Sequence, residues 1–312
     1  PPLKEEVYVD NLKNYQAKSL WELAMVNNPN GIPKRYATTW EAVAKSVYED
    51  DDFVNQIKKN DYYQADLAAV TKGAASNEEK MVSILNLVKS KVKWNNYVGF
   101  IPEKGVKKAY REGTGNTADI NLMLLSMLQN SGLDAFPVLL STSENGIPVY
   151  PTREGFNYVI AAVNSNGNVY LLDATDPFSQ VNMLPRRAMN WQGRLIRPDG
   201  TSNWVGLYPG YVSQKLTYVQ AEINDQNVLV KVRERKGGHF AKEYRNKYVA
   251  TSDKLQMDGV DTGSEAVEIS EFEAKDLESL KDNMSISYTA NSSSLVEEIG
   301  GDLYISPMLF FA

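Results

Sequence analysis

The sequence predicts an α+β protein, in which helices pack on an antiparallel sheet and a β-rich region follows. Apolar residues recur at helical spacing between positions 40 and 131. Beyond position 135, short runs rich in Val, Ile, Tyr and Phe alternate with turn-forming residues, which is typical of strands. A chain of 312 residues is long enough for about two domains. We expect one over 1–211 and a second, sandwich-like and truncated, over 212–312.

Three segments carry helix signals. Thr38-Thr39-Trp40-Glu41 and Ser76-Asn77-Glu78-Glu79 both match the capping box that opens a helix. The first helix is expected to bury Trp40, Val43, Ala44 and Val47. The second is expected to bury Met81, Ile84, Leu85, Val88 and Val92. The third ends at Ser131-Gly132 and carries on one face Ile120, Leu124, Leu125 and Leu128.

Three apolar runs after these helices predict strands, over 135–141, 156–163 and 169–175. The second and third runs are joined by Asn164-Ser165-Asn166-Gly167-Asn168, a strong hairpin signal. A four-residue loop would pair Tyr158 with Asp173, whereas a tight Asn166-Gly167 turn would make them diagonal neighbours. In either register the two side chains lie close together, and we expect both to face the helix over 117–131. The next segment, 176–210, is predicted to wrap the core as ordered loop.

The third helix begins within Gly-Thr-Gly-Asn-Thr-Ala-Asp-Ile-Asn, residues 113–121. The unpaired N–H groups and the dipole of a helix N-terminus stabilise a thiolate or an oxyanion placed there. The chain contains no cysteine, and Thr117 stands where a reactive thiol would be expected.

Four phrases resemble bacterial transglutaminase-like proteins of the papain-type fold, which flank this core with β-sandwich domains. The phrases are Gly-Asn-Thr-Ala-Asp-Ile-Asn-Leu at 115–122, Phe-Pro-Val-Leu-Leu-Ser-Thr at 136–142, Phe-Asn-Tyr-Val-Ile at 156–160 and Tyr-Leu-Leu-Asp-Ala-Thr at 170–175. The similarity covers residues 70–210 well and the flanks weakly. It implies a transglutaminase-like core in the first domain, preceded by a helical extension. Members of the family carry a catalytic Cys, His and Asp in that chain order.

Carried onto this chain, the resemblance assigns Thr117 to the cysteine position, Tyr158 to the histidine position and Asp173 to the aspartate. Neutral tyrosine, with a reference pKa of about 10, is a poor proton acceptor. The only histidine, His239, lies far beyond the last of these strands and is predicted to be a surface-loop residue. We therefore predict a pseudoenzyme with no catalytic residues.

The function is predicted to be binding or scaffolding, with a peptide, a protein or a glycan as partner. The ligand-binding candidates are Trp94, Tyr97, Asn116, Asp119 and Tyr158, because aromatic walls with a few polar groups suit an extended peptide or a sugar ring. One alternative is an active acyl-transfer enzyme or peptidase that uses Thr117. The other is a purely structural spacer, in which Thr117 caps a helix and Tyr158 is a core aromatic bonded to Asp173.

The region after position 211 changes to strands, such as 216–223 and 228–232. Residues 211–312 hold 11 basic and 17 acidic residues, so the whole net charge of −6 belongs to this region. Carboxylates alternate with apolar residues over 267–273, which indicates a strand with one solvated face more than a calcium loop. We predict no metal, no cofactor and, since no basic stripe exists, no nucleic-acid partner. The apolar run 303–312 is predicted to be a strand cut from a longer parent.

Localisation is predicted from composition and from the resemblance. No apolar stretch reaches about 18 residues, so no membrane span is expected. The start, Pro1-Pro2-Leu3, has neither methionine nor an apolar leader, which indicates a processed or truncated product. The absence of cysteine and the export common in the resembled family favour the periplasm or the cell surface.

Overall fold

The computed structural model describes residues 39–210, 212–224, 227–249, 267–279, 283–306 and 308–311, together with 9, 11–17, 19, 21, 23, 25–27, 29, 31–35, 257 and 260. It is a mixed α+β protein, which confirms the predicted fold class. The chain divides into two compact units, Pro1–Gly210 and Tyr211–Ala312.

Six α-helices occur in the described part of the first unit. They are α1 (Trp40–Tyr48), α2 (Asp51–Lys58), α3 (Gln64–Thr71), α4 (Asn77–Lys91), α5 (Val106–Glu112) and α6 (Thr117–Asn130). The side chain of Thr39 caps α1 by accepting the N–H of Ala42, and Ser76 caps α4 by accepting that of Glu79. Thr38, which the capping-box pattern favours as the first cap, lies outside the described residues.

A five-stranded antiparallel sheet is the centre of the first unit. Four short strands precede it: β1 (Met25–Val26) pairs with β2 (Lys34–Arg35), and β3 (Lys93–Trp94) pairs with β4 (Thr114–Gly115). The sheet itself contains β5 (Asp134–Leu140), β6 (Tyr158–Ser165), β7 (Asn168–Leu172), β8 (Gln192–Ile196) and β9 (Ser202–Gly206). Their spatial order is β7-β6-β5-β8-β9.

A two-residue turn, Asn166-Gly167, joins β6 to β7 and fixes their register. Both residues have positive φ, 52° and 78°, as tight hairpin turns of this kind require. The strand residues on either side of the turn pair directly with each other. The tight-turn register is therefore the one that forms, and Tyr158 lies diagonal to Asp173.

The sheet is covered by apolar groups on both faces, because successive strand residues point to opposite sides. One face shares a buried cluster with α6 through Val159, Ala161 and Val163. The other face carries Tyr158, Ile160 and Ala162, which cluster with Leu184, Ala188 and Leu207 from the segment after β7.

The segment 176–210 is more regular than the predicted ordered loop, because it supplies β8, β9 and a short 3-10 helix, Arg186–Ala188. Pairing with β5 explains the difference, since Leu195 of β8 lies opposite Val138. Strand formation here depends on that distant partner, which local sequence patterns do not reveal.

The second unit is rich in β-strands, as predicted. Its main sheet contains β10 (Lys215–Asn224), β11 (Asn227–Gly237), β12 (Glu268–Lys275) and β13 (Asn283–Ser292), in the order β10-β11-β13-β12. Helix α7 (His239–Tyr248) packs against β11, and β14 (Val296–Ile299) pairs with β15 (Asp302–Ile305). A helix and a hairpin, rather than a second large sheet, accompany the main sheet in the described residues.

Two expectations for this unit are wrong. His239 is the half-buried first residue of α7, not a loop residue, and its N–H donates to Ser213 Oγ at 3.0 Å. The strand predicted over 303–312 ends at Ile305. Phe310 and Phe311 pack instead on the apolar core of the unit, which accounts for the apolar character of the run.

Candidate functional site

Helix α6 begins at a fully bonded capping box. The Asn116 Oδ1 atom accepts the N–H of Asp119 at 2.8 Å, and Asp119 Oδ2 accepts the N–H of Asn116 at 3.0 Å. Asn116 also donates to the Ile101 carbonyl at 2.9 Å, and Asp119 accepts the N–H groups of Gly105 at 2.8 Å and Lys104 at 3.3 Å. Burial raises the pKa of Asp119, although the backbone N–H donors act in the opposite direction and lower it. Both side chains therefore tie the loop before α6 to its N-terminus.

Thr117, the first residue of α6, is completely buried, and its hydroxyl is engaged twice. Its Oγ1 donates to the Gly99 carbonyl at 2.6 Å and accepts the N–H of Gly99 at 2.9 Å. Within the described residues, no hydrogen bond joins Thr117 to Tyr158 or Asp173. The single hydroxyl proton is directed at a backbone carbonyl, so a nucleophilic role would require the bond to the Gly99 carbonyl to break and a base to accept that proton.

Tyr158 begins β6 and is completely buried. The sequence predicts that it faces α6, but it belongs to the apolar cluster on the opposite face, with Ile160 and Leu184. Strand alternation is the reason, because Val159 takes the side that faces the helix. The Tyr158 phenol and the Thr117 hydroxyl are consequently not partners.

Asp173 follows β7 and is the centre of a buried hydrogen-bond network. Tyr158 Oη donates to its Oδ2 at 2.8 Å, as predicted. Asn121 of α6 donates to Oδ1 at 3.1 Å, and Thr175 donates to the same oxygen through its N–H at 2.9 Å and its hydroxyl at 2.7 Å. Asn121 also accepts the N–H of Ala174 at 2.9 Å. Four donors satisfy the carboxylate, and Asn121 connects it to α6.

Arg187, from the short 3-10 helix, extends this network on the side of Tyr158. Its Nε donates to Tyr158 Oη at 3.3 Å, and its Nη2 donates to the Thr175 hydroxyl at 2.5 Å. Its guanidinium carbon lies 3.9 Å from the ring centroid of Trp94, well within cation–π range. The two hydroxyls thus connect the guanidinium to the Asp173 carboxylate.

The electrostatics of the network disfavour proton transfer. Burial, and then the negative charge of Asp173, raise the pKa of Tyr158 well above its ordinary value. The phenol therefore stays protonated and acts as a donor. The Asp173 carboxylate and the Arg187 guanidinium offset each other's charge across two hydroxyls, and the negative charge of the buried Asp176 also acts on Arg187.

The loop after β3 combines a half-buried indole with an exposed tip. Trp94 packs against the main core, and its Nε1 donates to the Tyr97 carbonyl at 2.8 Å. The N–H of Tyr97 donates to Asn95 Oδ1 at 3.0 Å. The side chain of Tyr97 is 66% exposed, and that of the neighbouring Val98 is 41% exposed. Of the aromatic candidates, Tyr97 is the most exposed to solvent.

Sequence reasoning missed Arg187, Asn121 and Thr175 as members of the site. No pattern marks Arg187, whose position depends on how 176–210 folds over the sheet. Asn121 and Thr175 lie inside two of the phrases that carry the resemblance. A signal was present at Thr175, because a threonine two residues after an aspartate often bonds the carboxylate through its N–H.

The comparisons with known proteins show only weak structural similarity. No protein-family model matches the chain, and no curated protein matches its sequence. A crystal structure of a candidate protease from Parabacteroides distasonis ATCC 8503 is similar with a TM-score of 0.41 and 9% identity, over 94% of this chain and 59% of that one. This chain thus spans about 59% of the length of that protein. The transglutaminase-like assignment stays a prediction.

The described residues meet the requirements neither for a membrane-spanning helix nor for a metal site. No helix among them has both the length and the apolar character that a membrane crossing needs. No group of three His, Asp or Glu side chains among them is arranged to hold a metal ion.

Proposed function

We propose that this chain is a non-catalytic binding or scaffolding module of the transglutaminase-like type, which engages an extended peptide or a glycan at the bacterial cell envelope. The hydrogen bonds that Thr117, Tyr158 and Asp173 make support the loss of catalytic activity. The exposed loop after Trp94 supports retained binding. The envelope location rests on the absence of cysteine and on the family resemblance.

The hydrogen bond from Tyr158 to Asp173 carries the proposal. An imidazole at this position would accept a proton near neutral pH, whereas a buried phenol with a raised pKa does not. The Thr117 hydroxyl is bonded to Gly99 and has no base beside it. This arrangement supports a pseudoenzyme over a threonine-dependent acyl transferase.

The tip of the loop after β3 is the proposed contact surface. Tyr97 and Val98 expose apolar surface there. The half-buried Trp94, held by its cation–π contact with Arg187, supports the base of the loop. Exposed aromatic surface on such a support suits an extended peptide or a sugar ring.

Assays of amide hydrolysis and transamidation test the proposed absence of catalytic activity. We expect no turnover of peptide or glutamine substrates, because neither a thiolate nor an imidazole lies in the site. Thr117→Ala should leave the background rate unchanged. Turnover that disappears in this variant would overturn the proposal.

Immobilised peptide and glycan arrays test the binding role. Tyr97→Ala should weaken a captured ligand by about 1–3 kcal/mol, the range for an aromatic contact residue. Tyr208→Ala is the matched control, because Tyr208 is 68% exposed and lies outside this loop. Equal weakening in both variants, or no binding to any array member, favours the spacer interpretation.

A further inference from the structure

A second candidate site lies elsewhere in the first unit, in a pocket of about 700 Å³. Its lining comes from α5 and the residues just before it, together with the ends of α2 and α4. Six of the nine lining residues are cationic and none is acidic: Lys59, Lys91, Lys104, Lys107, Lys108 and Arg111. None of the nine belongs to the network around Asp173, so the pocket is independent of the proposed function.

Three of the six cations have carboxylate partners beside the pocket. Lys91 contacts Asp66 at 2.7 Å, Lys107 contacts Asp61 at 2.6 Å, and Lys104 contacts Glu112 at 3.1 Å. The Lys107–Asp61 pair is mainly solvated and the other two pairs are partly exposed, so solvent screening weakens all three ion pairs.

The other three cations, Lys59, Lys108 and Arg111, have no carboxylate oxygen of the described residues closer than 4.0 Å in an ion pair. Lys59 donates to the neutral amide of Gln56 at 3.1 Å, and Lys108 reaches Glu112 only at 4.0 Å. Arg111 makes no hydrogen bond or ion pair with the described residues, although its charge acts on Glu112 together with that of Lys108. The carboxylates of Asp61, Asp66 and Glu112 lie beside the pocket, and that of Asp119 accepts the N–H groups of the lining residues Lys104 and Gly105. Six cations against these four carboxylates leave an excess of two positive charges.

The hydroxyl of Tyr62, which also lines the pocket, is buried and has no hydrogen-bond partner among the described residues. Its ring packs edge-on against Tyr110, with centroids 5.1 Å apart. Burial raises the pKa of Tyr62, so the hydroxyl stays protonated and is an unused donor. A buried donor without a partner destabilises the protein, and a ligand oxygen would satisfy it once the ring of Tyr62 turns its hydroxyl into the pocket.

We propose that this pocket binds a small molecule through a phosphate group, which the excess cations neutralise and to which Tyr62, after a small turn of its ring, donates a hydrogen bond. Five of the six cations are lysines, whose ammonium groups approach an anion from many directions. A phosphate offers several acceptor oxygens, whereas the planar carboxylate is matched best by the fork of an arginine. The volume is that of an ordinary small-molecule site.

Calorimetric titration of the full chain with pyrophosphate tests the proposal. We expect saturable binding with a Kd of about 1 mM or tighter, which weakens with added salt. The double variant Lys108→Gln/Arg111→Gln should raise the Kd by about tenfold or more, because both cations act on the anion directly. Lys45→Gln is the matched control, since Lys45 is exposed and lies outside the pocket. Circular dichroism verifies that each variant is folded.

Tyr62→Phe distinguishes a specific phosphate-binding site from nonspecific attraction of anions to positive charge. It should raise the Kd for pyrophosphate several-fold and leave the melting temperature unchanged or higher, because the hydroxyl has no partner to lose. Citrate, a carboxylate polyanion of similar charge, should bind more weakly than pyrophosphate. The proposal is overturned by absence of saturable binding, by an unchanged Kd in either pocket variant, by an equal loss in Lys45→Gln, or by tighter binding of citrate.

Discussion

At the scale of single residues, the environment of Asp173 explains how this chain keeps a carboxylate in its interior. A buried charge is costly unless donors and an opposite charge surround it. Asn121, Tyr158 and Thr175 supply the donors, and Arg187 supplies the positive charge through the two hydroxyls. Each member is held by at least one other, so the network depends on all of them.

Tyr158→Phe should destabilise the protein by about 1.5–3 kcal/mol, the range for a hydrogen bond to a charged group. The variant keeps the ring but removes a donor to Asp173 and an acceptor for Arg187. Urea denaturation measures the change. The control is Tyr170→Phe, because the hydroxyl of half-buried Tyr170 lies 3.4 Å from Glu78 and should contribute little. Similar effects in the two variants would contradict a special role of the network.

At the scale of elements, the sequence predicts best where a signal is local. The cap at Ser76, the apolar spacing along α6 and the hairpin of β6 and β7 formed as predicted, and of the two hairpin registers left open the Asn166-Gly167 turn is the one that forms. The pairing of β8 with β5 joins Leu195 to the distant Val138, and the position of Arg187 depends on how the segment 176–210 folds over the sheet. Tyr158 combines a local and a non-local feature. The hairpin sequence predicts that Asp173 is its partner, but it does not predict which face of the sheet Tyr158 occupies.

Strand β11 carries a carboxylate that should make the second unit sensitive to acid. Burial alone would raise the pKa of Glu234, but the hydrogen bond and charge of Lys236, with Lys215 at 3.1 Å, lower it below its ordinary value. A folded-state pKa below the unfolded one stabilises the fold at pH values above the unfolded pKa, and this contribution is lost as the pH falls through the folded pKa.

The free energy of unfolding, measured by urea titration between pH 6 and about pH 3, tests this expectation. The wild-type chain should lose more stability over this range than Glu234→Gln, which has no charge to titrate at this position. The variant should already be weaker at pH 6, because Lys236 loses its counterion. Parallel pH profiles for the two proteins would show that Glu234 does not contribute.

At the scale of the whole molecule, each compact unit has apolar clusters of its own. The first unit has one cluster on each face of its sheet, and the second has a cluster between its sheet, α7 and the chain after β13. Charge is also divided, because the net −6 belongs to residues 211–312 while 1–210 is balanced. The basic pocket of the first unit is therefore a local excess within a neutral region.

A chain ending at Gly210 should fold without the second unit, because its core consists of residues from within 1–210. Far-UV circular dichroism should show its helices, and thermal unfolding should be a single cooperative transition. A chain that unfolds gradually or binds hydrophobic dyes in buffer would show that the first unit needs the second.

The tight Asn166-Gly167 turn also limits how this protein can change in length during evolution. Suppose that one residue were added between β6 and β7 and that the pairing of β6 slipped by one position. Every side chain of β6 would then change to the opposite face of the sheet, so that Tyr158 would point towards α6 and Val159 away from it. Both buried clusters and the Asp173 network would then be lost together. Length variants at this turn should therefore occur among functional descendants only where a longer loop absorbs the extra residue and the pairing of β6 with β5 is unchanged.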